Sequence, residues 1–483
     1  MHRVLLPLLV LLSSVAFAAA PKYNVLHIVS DDLNCGLACY GHTMVKSPNI
    51  DKLAARGVRF DKAYCQYPLC NPSRSSFLTG VRPDSTRVYE NSTHFREANP
   101  GIVTLPQSFI KAGAFVARVG KLYHYGVPTQ IGTSGLDDPP SWKEFINPIG
   151  HDKVVEQEGK IFSLLPGQYG GSLSWFADED PAPQTDEKGA EAAIKMLEQH
   201  KDKPFYLAVG FYRPHTPYVA PKKYYDMYPL DKIELAQGPG KDQEGVPPGA
   251  YMSYKKEQDK LDDKLRREAK QGYFASTTFM DAQVGQVVDA LDRLGLADKT
   301  IIVFHSDHGY HLGEHGLWQK QSIWEGSTRV PMIICVPGSA NQGKTCPRTV
   351  ELVDLHATLT DLCNVEAPKT EGYSLRPLLE NPQADWSHPA YSQVLRGQEL
   401  GTQAPKFKDE QKKNKGKGKG GKGNGGFMGR TVRTEQWRYT EWGKDGDHGV
   451  QLYDMVEDPM EAKNLATDPA FADKVKEMKA LLK

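Results

Sequence analysis

Two pairs of potential metal ligands each follow a strongly apolar segment of the chain. Asp31-Asp32 comes directly after the run 25–30 (VLHIVS), and Asp307-His308 comes directly after the run 300–306 (TIIVFHS). Such runs predict buried strands of a parallel α/β sheet, and ligands gather at the carboxyl ends of such strands. Adjacent carboxylates repel each other unless a cation lies between them, and their hard oxygens suit Ca²⁺ or Mg²⁺. The acidic pair therefore indicates either a divalent-cation site or a solvated turn at the end of a strand.

A cysteine in a short Pro-containing motif is the second chemical feature. The motif is Cys70-Asn71-Pro72-Ser73-Arg74, and the run from Ser73 to Gly80 predicts the start of a helix. The motif resembles the C-x-P-S-R signature of type I sulfatases, in which the cysteine is oxidised to formylglycine. A structural cysteine in a turn is the alternative. Because short motifs also occur by chance, the rest of the chain has to decide between the two.

The resemblance assigns to Cys70 a role that a thiol could perform only once. A thiolate could attack the sulfur of a sulfate ester, but the S-sulfo adduct would have no internal group to expel sulfate. A hydrated aldehyde has two hydroxyls on one carbon: one attacks sulfur, and loss of the proton from the other ejects sulfate and restores the aldehyde. Arg74 would hold this diol, because its guanidinium favours the developing alkoxide. The N–H groups at the start of the helix would face the bound anion.

Further segments match motifs of the same family in the same order along the chain. They are Ser47-Pro48-Asn49-Ile50-Asp51, Leu78-Thr79-Gly80-Val81-Arg82-Pro83, Gly120-Lys121-Leu122-Tyr123-His124, Arg213-Pro214-His215-Thr216-Pro217, and Gly313-Glu314-His315-Gly316 with Lys320. The resemblance implies that Lys121 and Lys320 contact sulfate oxygens. It also implies that His124 contacts a formylglycine hydroxyl and that His215 protonates the leaving alkoxide. Solvated lysines and ordinary loop histidines would be the alternatives for isolated matches, but an ordered series is far more specific.

The resemblance also implies one metal ion, held by Asp31, Asp32, residue 70, Asp307 and His308. Most members of the family have Asn where this chain has His308, and the histidine occurs in members similar to iduronate-2-sulfatase. A neutral imidazole is softer than the oxygen ligands that Ca²⁺ prefers. We therefore expect one divalent cation, with Ca²⁺ as the first candidate and Mg²⁺ as the second.

The resemblance covers nearly the whole chain after residue 20 and implies an α/β fold. We expect a large alkaline-phosphatase-like mixed sheet flanked by helices over 21–375, and a smaller C-terminal subdomain of antiparallel sheet plus helix over 376–483. Within the subdomain, residues 406–426 are rich in Lys and Gly. This composition predicts a disordered loop or, alternatively, a flexible basic arm that holds polyanionic glycans.

The segments between the motifs differ in their periodicity. Apolar spacing predicts helices over 185–200 and 272–294. Residues 128–186 show little periodicity, which predicts irregular structure that shapes a substrate cleft. Residues 236–265 are charged and rich in Gly and Pro, which predicts an excursion on the surface.

The charge and the N-terminus bear on partners and location. Basic and acidic residues number 59 each in the 483-residue chain, so the global charge does not favour a nucleic-acid partner. Residues 1–20 combine a basic start, an apolar run and a small-residue end, which predicts a secretory signal peptide. We therefore expect a periplasmic or extracellular protein without a membrane anchor. If Cys70 is converted, six of the seven cysteines remain, and their pairing cannot be deduced from sequence.

Several segments look most similar to the iduronate-2-sulfatase branch of the family. They are Ser47-Pro48-Asn49-Ile50-Asp51, Arg82-Pro83-Asp84, Tyr273-Phe274-Ala275-Ser276 and Ser306-Asp307-His308-Gly309. We expect hydrolysis of a sulfate ester on a uronic-acid-containing or other anionic polysaccharide, after maturation by a formylglycine-generating enzyme. Two alternatives stay open. One is a phosphate or phosphonate ester hydrolase of the same superfamily, and the other is a secreted glycan-binding protein whose Cys70 is never converted.

Overall fold

The structure is a computed structural model that describes residues 20–241, 243–397 and 426–482. The predicted signal peptide and the Lys/Gly-rich segment 406–426 lie outside the described residues, apart from residues 20 and 426. In chain order the strands are β1 (Asn24–Asp31), β2 (Val58–Tyr64), β3 (Phe115–Gly120), β4 (Glu144–Ile146), β5 (Phe162–Ser163), β6 (Ser174–Asp178), β7 (Phe205–Pro214), β8 (Tyr218–Pro221), β9 (Thr300–Ser306), β10 (His311–Leu312), β11 (Trp318–Gln319), β12 (Arg329–Cys335), β13 (Lys344–Glu351), β14 (Ala390–Arg396), β15 (Phe427–Arg433), β16 (Trp437–Trp442) and β17 (Val450–Asp454). The α-helices are α1 (Pro48–Arg56), α2 (Cys70–Thr79), α3 (Pro83–Thr86), α4 (Leu105–Lys111), α5 (His151–Gln157), α6 (Thr185–His200), α7 (Lys222–Tyr225), α8 (Asp263–Arg293), α9 (Glu325–Thr328), α10 (Asp354–Leu362), α11 (Arg376–Glu380) and α12 (Ala472–Leu481).

A mixed sheet of eight strands forms the centre of the molecule, in the order β13-β2-β12-β9-β1-β7-β3-β4. Strand β12 runs antiparallel to its neighbours β2 and β9, whereas the other neighbouring pairs are parallel. Strands β1, β7 and β9 are buried along their whole length, which explains their nearly continuous apolar sequences. Because all strands except β12 point the same way, their carboxyl ends meet at one edge of the sheet.

Helices cover both faces of this sheet. Alternate residues of β1 point to opposite faces: Leu26 and Ile28 belong to one apolar cluster, and Val25 and Val29 to another. The first cluster contains side chains of α1, α6 and α8, and the second contains side chains of α2, α4 and α10. Helix α6 has the predicted bounds. Helix α8 begins at Asp263, nine residues before the predicted start, because the Asp262 side chain caps it by accepting the N–H of Leu265 at 2.8 Å.

The C-terminal strands form a separate antiparallel sheet in the order β14-β15-β16-β17, against which α12 packs. This arrangement confirms the predicted antiparallel sheet plus helix. Buried Arg438 of β16 pairs with Glu461 at 2.8 Å and with Glu325 of α9, which joins this sheet to the larger unit. Leu378 and Leu379 of α11 pack in the core of the large sheet. The division between residues 375 and 376 stays a prediction.

In the part of the chain that the structure describes, none of the helices has both the length and the apolar composition needed to cross a bilayer.

Candidate active site

The carboxyl edge of the large sheet brings together the residues that the sequence analysis singled out. Asp31 ends β1, Lys121 follows β3, and His215 follows β7. Asp307 and His308 follow β9, and Cys70 is the first residue of α2. Lys320 follows the short strand β11. Strand order therefore places residues from six segments of the chain at one point.

Cys70 lies at the centre of this group and is 1% exposed. Its Sγ lies 3.2 Å from Lys320 Nζ, 3.4 Å from His308 Nε2 and 3.5 Å from Asp31 Oδ1. The imidazoles of His124 and His215 also lie within hydrogen-bonding reach of the sulfur. Burial opposes ionisation of the thiol, but the cations Lys121 and Lys320 outweigh it and hold the pKa of Cys70 well below its usual value. The position thus favours an anionic nucleophile.

Helix α2 begins at Cys70 itself, not at Ser73 as the sequence predicted. The helix is buried along its whole length, although its first turns are polar. Its polar side chains are used locally: Ser73 Oγ donates to the carbonyl of Asp307, and Asn71 Nδ2 donates to the carbonyls of Glu90 and Thr93 at 2.9 and 2.8 Å. The first turn of α2 is therefore tied to β9 and to the loop after α3, which holds residue 70 in place.

Arg74 is fully buried beneath Cys70 and contacts the acids of the site. Its Nε donates to Asp307 Oδ2 at 2.9 Å, and one terminal nitrogen lies 3.2 Å from Asp31 Oδ1. The other terminal nitrogen donates to the carbonyls of Lys121 and Leu122. The sequence analysis expected Arg74 to hold the nucleophile. In the structure its hydrogen bonds go to a carboxylate and two carbonyls, so it also orients the acids.

Four of the five predicted metal ligands converge. Asp31, Asp32, Cys70 and His308 are buried, and each offers one potential ligand atom, all within 4.8 Å of one another. His308 Nδ1 donates to the carbonyl of Gly309 at 3.0 Å, which directs Nε2 toward Cys70 and Asp32. Within the described residues, the buried Oδ2 of Asp32 has no hydrogen-bond partner. Two carboxylates, an imidazole and residue 70 therefore fit a divalent cation.

Asp307, the fifth predicted ligand, lies beside that group, and its Oδ2 is 3.6 Å from His308 Nε2. Its Oδ1 accepts the backbone N–H groups of Asp32 and His308 at 3.2 and 3.0 Å, and its Oδ2 accepts the guanidinium of Arg74. Burial raises the pKa of Asp307 to about 7, although Arg74 and His308 oppose the rise. The described contacts make Asp307 an acceptor that orders the turn carrying His308.

Each carboxylate of the site has a cationic partner. Lys121 pairs with Asp31, Lys320 Nζ lies 2.6 Å from Asp32 Oδ1, and Arg74 pairs with Asp307. Burial lowers the pKa of Lys320, but Asp32 and the neighbouring anions outweigh this effect and raise the pKa above its usual value. Lys121, Lys320 and Arg74 are thus matched one to one with the three carboxylates. A bound divalent cation would give the site an excess of positive charge, which favours anionic ligands.

His215 is held by a buried turn after β7. Its Nδ1 donates to the carbonyl of Thr216 at 2.6 Å, and its Nε2 lies 3.8 Å from Asp32 Oδ2. Arg213, which is fully buried, donates to the carbonyls of His215, at 3.1 Å, and of Pro217. Asp186 accepts the backbone N–H of Arg213 at 3.1 Å. The sequence motifs gave no separate role to Arg213 and no indication of Asp186. An arginine at the end of the apolar run 205–212 was the available signal for Arg213.

A pocket of about 310 Å³ opens above these residues. Its walls include His124, His215 and Lys320, together with Gly170-Gly171 and the stretch 252–255. The glycines belong to the segment 128–186, for which a cleft-shaping role was predicted. The stretch 252–255 belongs to 236–265, which the sequence analysis placed on the surface. That expectation was incomplete, because neighbouring residues 249–251 are buried and 252–255 line the pocket.

Comparison with known proteins gives the family. The sulfatase family model matches residues 23–365. The chain is 34% identical to human iduronate 2-sulfatase, over 93% of this chain and 92% of that protein. A solved 2-O GAG sulfatase has a TM-score of 0.71 at 24% identity, over 95% of this chain and 91% of the other. The phosphonate monoester hydrolase of Agrobacterium radiobacter has a TM-score of 0.72 at 20% identity, over 95% of each chain.

The mixed sheet with its functional residues at one edge, together with these structural neighbours, defines an α/β protein of the alkaline-phosphatase-like class. Likeness at these identities shows the fold alone, and the two neighbours that share it are named for different activities. The family match and the identity to human iduronate 2-sulfatase narrow this class. The chain belongs to the sulfatase family and is a sulfuric ester hydrolase. The predicted fold and family are thereby confirmed.

Proposed function

We propose that this enzyme hydrolyses sulfate esters of an anionic carbohydrate, with residue 70 as the nucleophile after its conversion to formylglycine. One observation carries the proposal: Cys70 Sγ lies within 3.5 Å of Asp31, His308 and Lys320, and Lys320 also lines the pocket. The substrate class is supported by the similarity to human iduronate 2-sulfatase. A uronic-acid-containing saccharide is therefore the first substrate to test.

Two groups that the chain would acquire supply part of the chemistry. Formylglycine, when hydrated, supplies one hydroxyl that attacks sulfur and a second whose proton loss releases sulfate and regenerates the aldehyde. A divalent cation, Ca²⁺ with Mg²⁺ as the alternative, would supply Lewis-acid polarisation of the sulfate and would lower the pKa of the diol hydroxyl. Asp31, Asp32, residue 70 and His308 would hold the cation, and Asp307 would support it directly or through the turn that carries His308.

The basic side chains divide the remaining work. Lys121 and Lys320, which pair with Asp31 and Asp32 in the structure, would contact the sulfate oxygens. Arg74 would hold Asp31 and Asp307 in place and stabilise negative charge on the nucleophile. His124 would bond a hydroxyl of residue 70, which its reach to Cys70 permits.

His215 is the proposed general acid. Because Nδ1 donates to the Thr216 carbonyl, Nε2 is the nitrogen that faces the pocket, and in the protonated ring it can donate to the departing sugar oxygen. Arg213 would act through His215 by fixing the backbone of its turn. The proton then leaves with the alcohol, so the water consumed in hydrolysis supplies it in the next cycle.

Two measurements test the proposal. Intact-mass analysis of the peptide that contains residue 70 should show a loss of roughly 18 Da relative to the thiol after expression with a formylglycine-generating enzyme. Turnover of 4-nitrophenyl sulfate should then exceed turnover of 4-nitrophenyl phosphate, and Cys70→Ala should abolish it. Preference for the phosphate ester, or turnover by protein with an unmodified thiol, would contradict the proposed mechanism.

We propose further that residues 1–20 direct export to the periplasm or the extracellular space, where a sulfated polysaccharide is accessible. The basic start, apolar run and small-residue end of this segment support the proposal. N-terminal sequencing of the exported protein should find a start near Pro21. A mature protein that still begins at Met1 would refute it.

A further inference from the structure

Lys255 is a cation of the pocket to which the proposed mechanism gives no role. Its Nζ donates to the carbonyl of Gly171 and to Oε1 of Gln319. Both acceptors are neutral. Across residues 20–241, 243–397 and 426–482, no carboxylate oxygen lies within 4.0 Å of this ammonium group. The pocket therefore contains a lysine without a counter-ion.

The surroundings of Lys255 make its positive charge costly. Burial lowers the pKa of Lys255 to about 8, and the charge of Lys320 adds to this effect, while Glu257 and Asp32 oppose it. A purely structural link between the loop at Gly171 and strand β11 could be made by a neutral amide at lower cost. A cation kept in a half-buried position is better explained by an anionic ligand that restores its charge.

The space beside Lys255 can admit such a ligand. Lys255 and Gly171 both line the pocket of about 310 Å³, and a Cβ atom added to the exposed Gly171 would meet no other atom within 4 Å. Gln319, which Lys255 contacts, directly precedes Lys320, and Lys320 Nζ lies 3.2 Å from Cys70 Sγ. Lys255 is thus near the nucleophile but separate from it, as a second attachment point for one ligand would be.

We propose that Lys255 binds a second anionic group, a carboxylate or a second sulfate, on the saccharide whose sulfate ester is cleaved at residue 70. The inference rests on the proposed function and specifies its substrate class: saccharides with at least two negative charges. Two attachment points fix the sugar in the pocket and so decide which of its ester oxygens reaches residue 70. A sulfate ester with a single charge would use only the lysines next to Cys70.

The test compares Lys255→Gln with Lys255→Arg in the matured enzyme. The substrates are a 2-O-sulfated uronate disaccharide, its carboxyl-reduced form, glucosamine 6-sulfate with and without N-sulfate, and 4-nitrophenyl sulfate. For the substrates with two charges we expect Lys255→Gln to raise KM, relative to KM for 4-nitrophenyl sulfate, by about tenfold or more with little change in kcat. Lys255→Arg should keep most of the affinity because it keeps the charge.

The substrate pairs distinguish a carboxylate from a second sulfate as the group that Lys255 binds. If only carboxyl reduction removes the effect of Lys255→Gln, the lysine binds a carboxylate, and if only loss of the N-sulfate removes it, the lysine binds a sulfate. Equal losses on all substrates, including 4-nitrophenyl sulfate, would indicate a structural role and overturn the proposal. So would a wild-type enzyme with the same KM for the substrates with one and two charges.

Failure of the proposed function would give a different pattern, namely no turnover of any sulfate ester. Calorimetric titration then decides about Lys255 alone. Cys70→Ala should bind the doubly charged saccharides about tenfold more tightly than the Cys70→Ala/Lys255→Gln double variant. Equal affinities would overturn the proposal. Thermal unfolding of each variant shows whether it is folded.

Discussion

Arg74→Met tests the central electrostatic argument of the site. Arg74 is fully buried and pairs with two buried carboxylates, Asp307 at 2.9 Å and Asp31 at 3.2 Å. Methionine fills similar space but leaves both carboxylates without this partner. Removing one member of a buried ion pair costs about 3–5 kcal/mol, because an uncompensated charge stays in the interior.

The expected change in Tm follows from the size of the protein. An unfolding entropy of about 2.1 cal/mol/K per residue over about 460 residues is roughly 1 kcal/mol/K, so the substitution should lower Tm by about 3–5 °C. The exposed pair Arg56–Asp292, with N–O distances of 2.9 and 3.0 Å, provides a control. Arg56→Met should lower Tm by about 1 °C or less, since exposed ion pairs contribute little.

The decrease in Tm caused by Arg74→Met should also depend on pH. Burial raises the pKa of Asp307 to about 7, so the folded protein keeps a proton that the unfolded chain releases near its usual pKa of 3.8. The contribution of this group to stability therefore falls as pH rises from about 4 to about 7. Arg74 limits that fall. Without Arg74, we expect the difference in Tm between wild type and variant to be smallest near pH 5 and largest near pH 8.

The assay is thermal unfolding of wild type, Arg74→Met and Arg56→Met between pH 5 and pH 8, in EDTA to exclude a compensating cation. Two results would refute the reasoning. One is a Tm of Arg74→Met that stays within 1 °C of wild type at pH 8. The other is a difference in Tm between wild type and Arg74→Met that grows as the pH is lowered.

Three further predictions address other parts of the molecule. His215→Gln should lower kcat for a saccharide sulfate by about 10²–10⁴-fold but lower it far less for 4-nitrophenyl sulfate, whose leaving group needs no proton; equal losses would contradict a role as general acid. At a Ca²⁺ concentration of about 100 times Kd, the free energy of unfolding of EDTA-treated wild type should rise by about 2.7 kcal/mol, or roughly 3 °C in Tm. Asp32→Asn should gain much less stability at the same concentration. Equal gains would remove Asp32 from the ligand set. Burial lowers the pKa of His356 to about 4, whereas its ordinary value is 6.5, so its contribution to stability is lost as pH falls from 6.5 through 4. His356→Gln lacks this loss, and the stability of wild type relative to this variant should fall by up to about 3 kcal/mol between pH 7 and pH 4; a constant difference in urea unfolding would contradict the assignment.

Much of the site could be predicted because its residues follow the strands that position them. The run before Asp31 and the run before Asp307 each predict a buried strand, and parallel strands end at a common edge. Because these acids directly follow predicted strands, the sequence located them at the carboxyl edge of the sheet without knowledge of the strand order. Lys255 has no such signal. It lies in an irregular segment, and only packing against Gly171 and Gln319 brings it to the pocket.

The hydrogen-bond partners of the site residues could not be predicted from the sequence. The motif placed Arg74 next to residue 70, but its partners are Asp31 and Asp307, and Asp307 also accepts the backbone N–H groups of Asp32 and His308. The start of α2 at Cys70 also differed from the prediction. Helix starts depend on the few contacts that satisfy the first N–H groups, and here the Asn91 side chain accepts the N–H of Asn71 at 3.1 Å.

The sequence by itself determined the family, the C-x-P-S-R motif at Cys70, the buried strands and the set of charged residues, because these depend on residue types and local spacing. Tertiary structure decided which charges meet. Lys320 and Cys70 are 250 positions apart in the chain, yet their side-chain atoms lie 3.2 Å apart. Such a contact depends on the order of strands in the sheet and on the loops between them, and burial then turns each pairing into a shifted pKa or a stabilising ion pair.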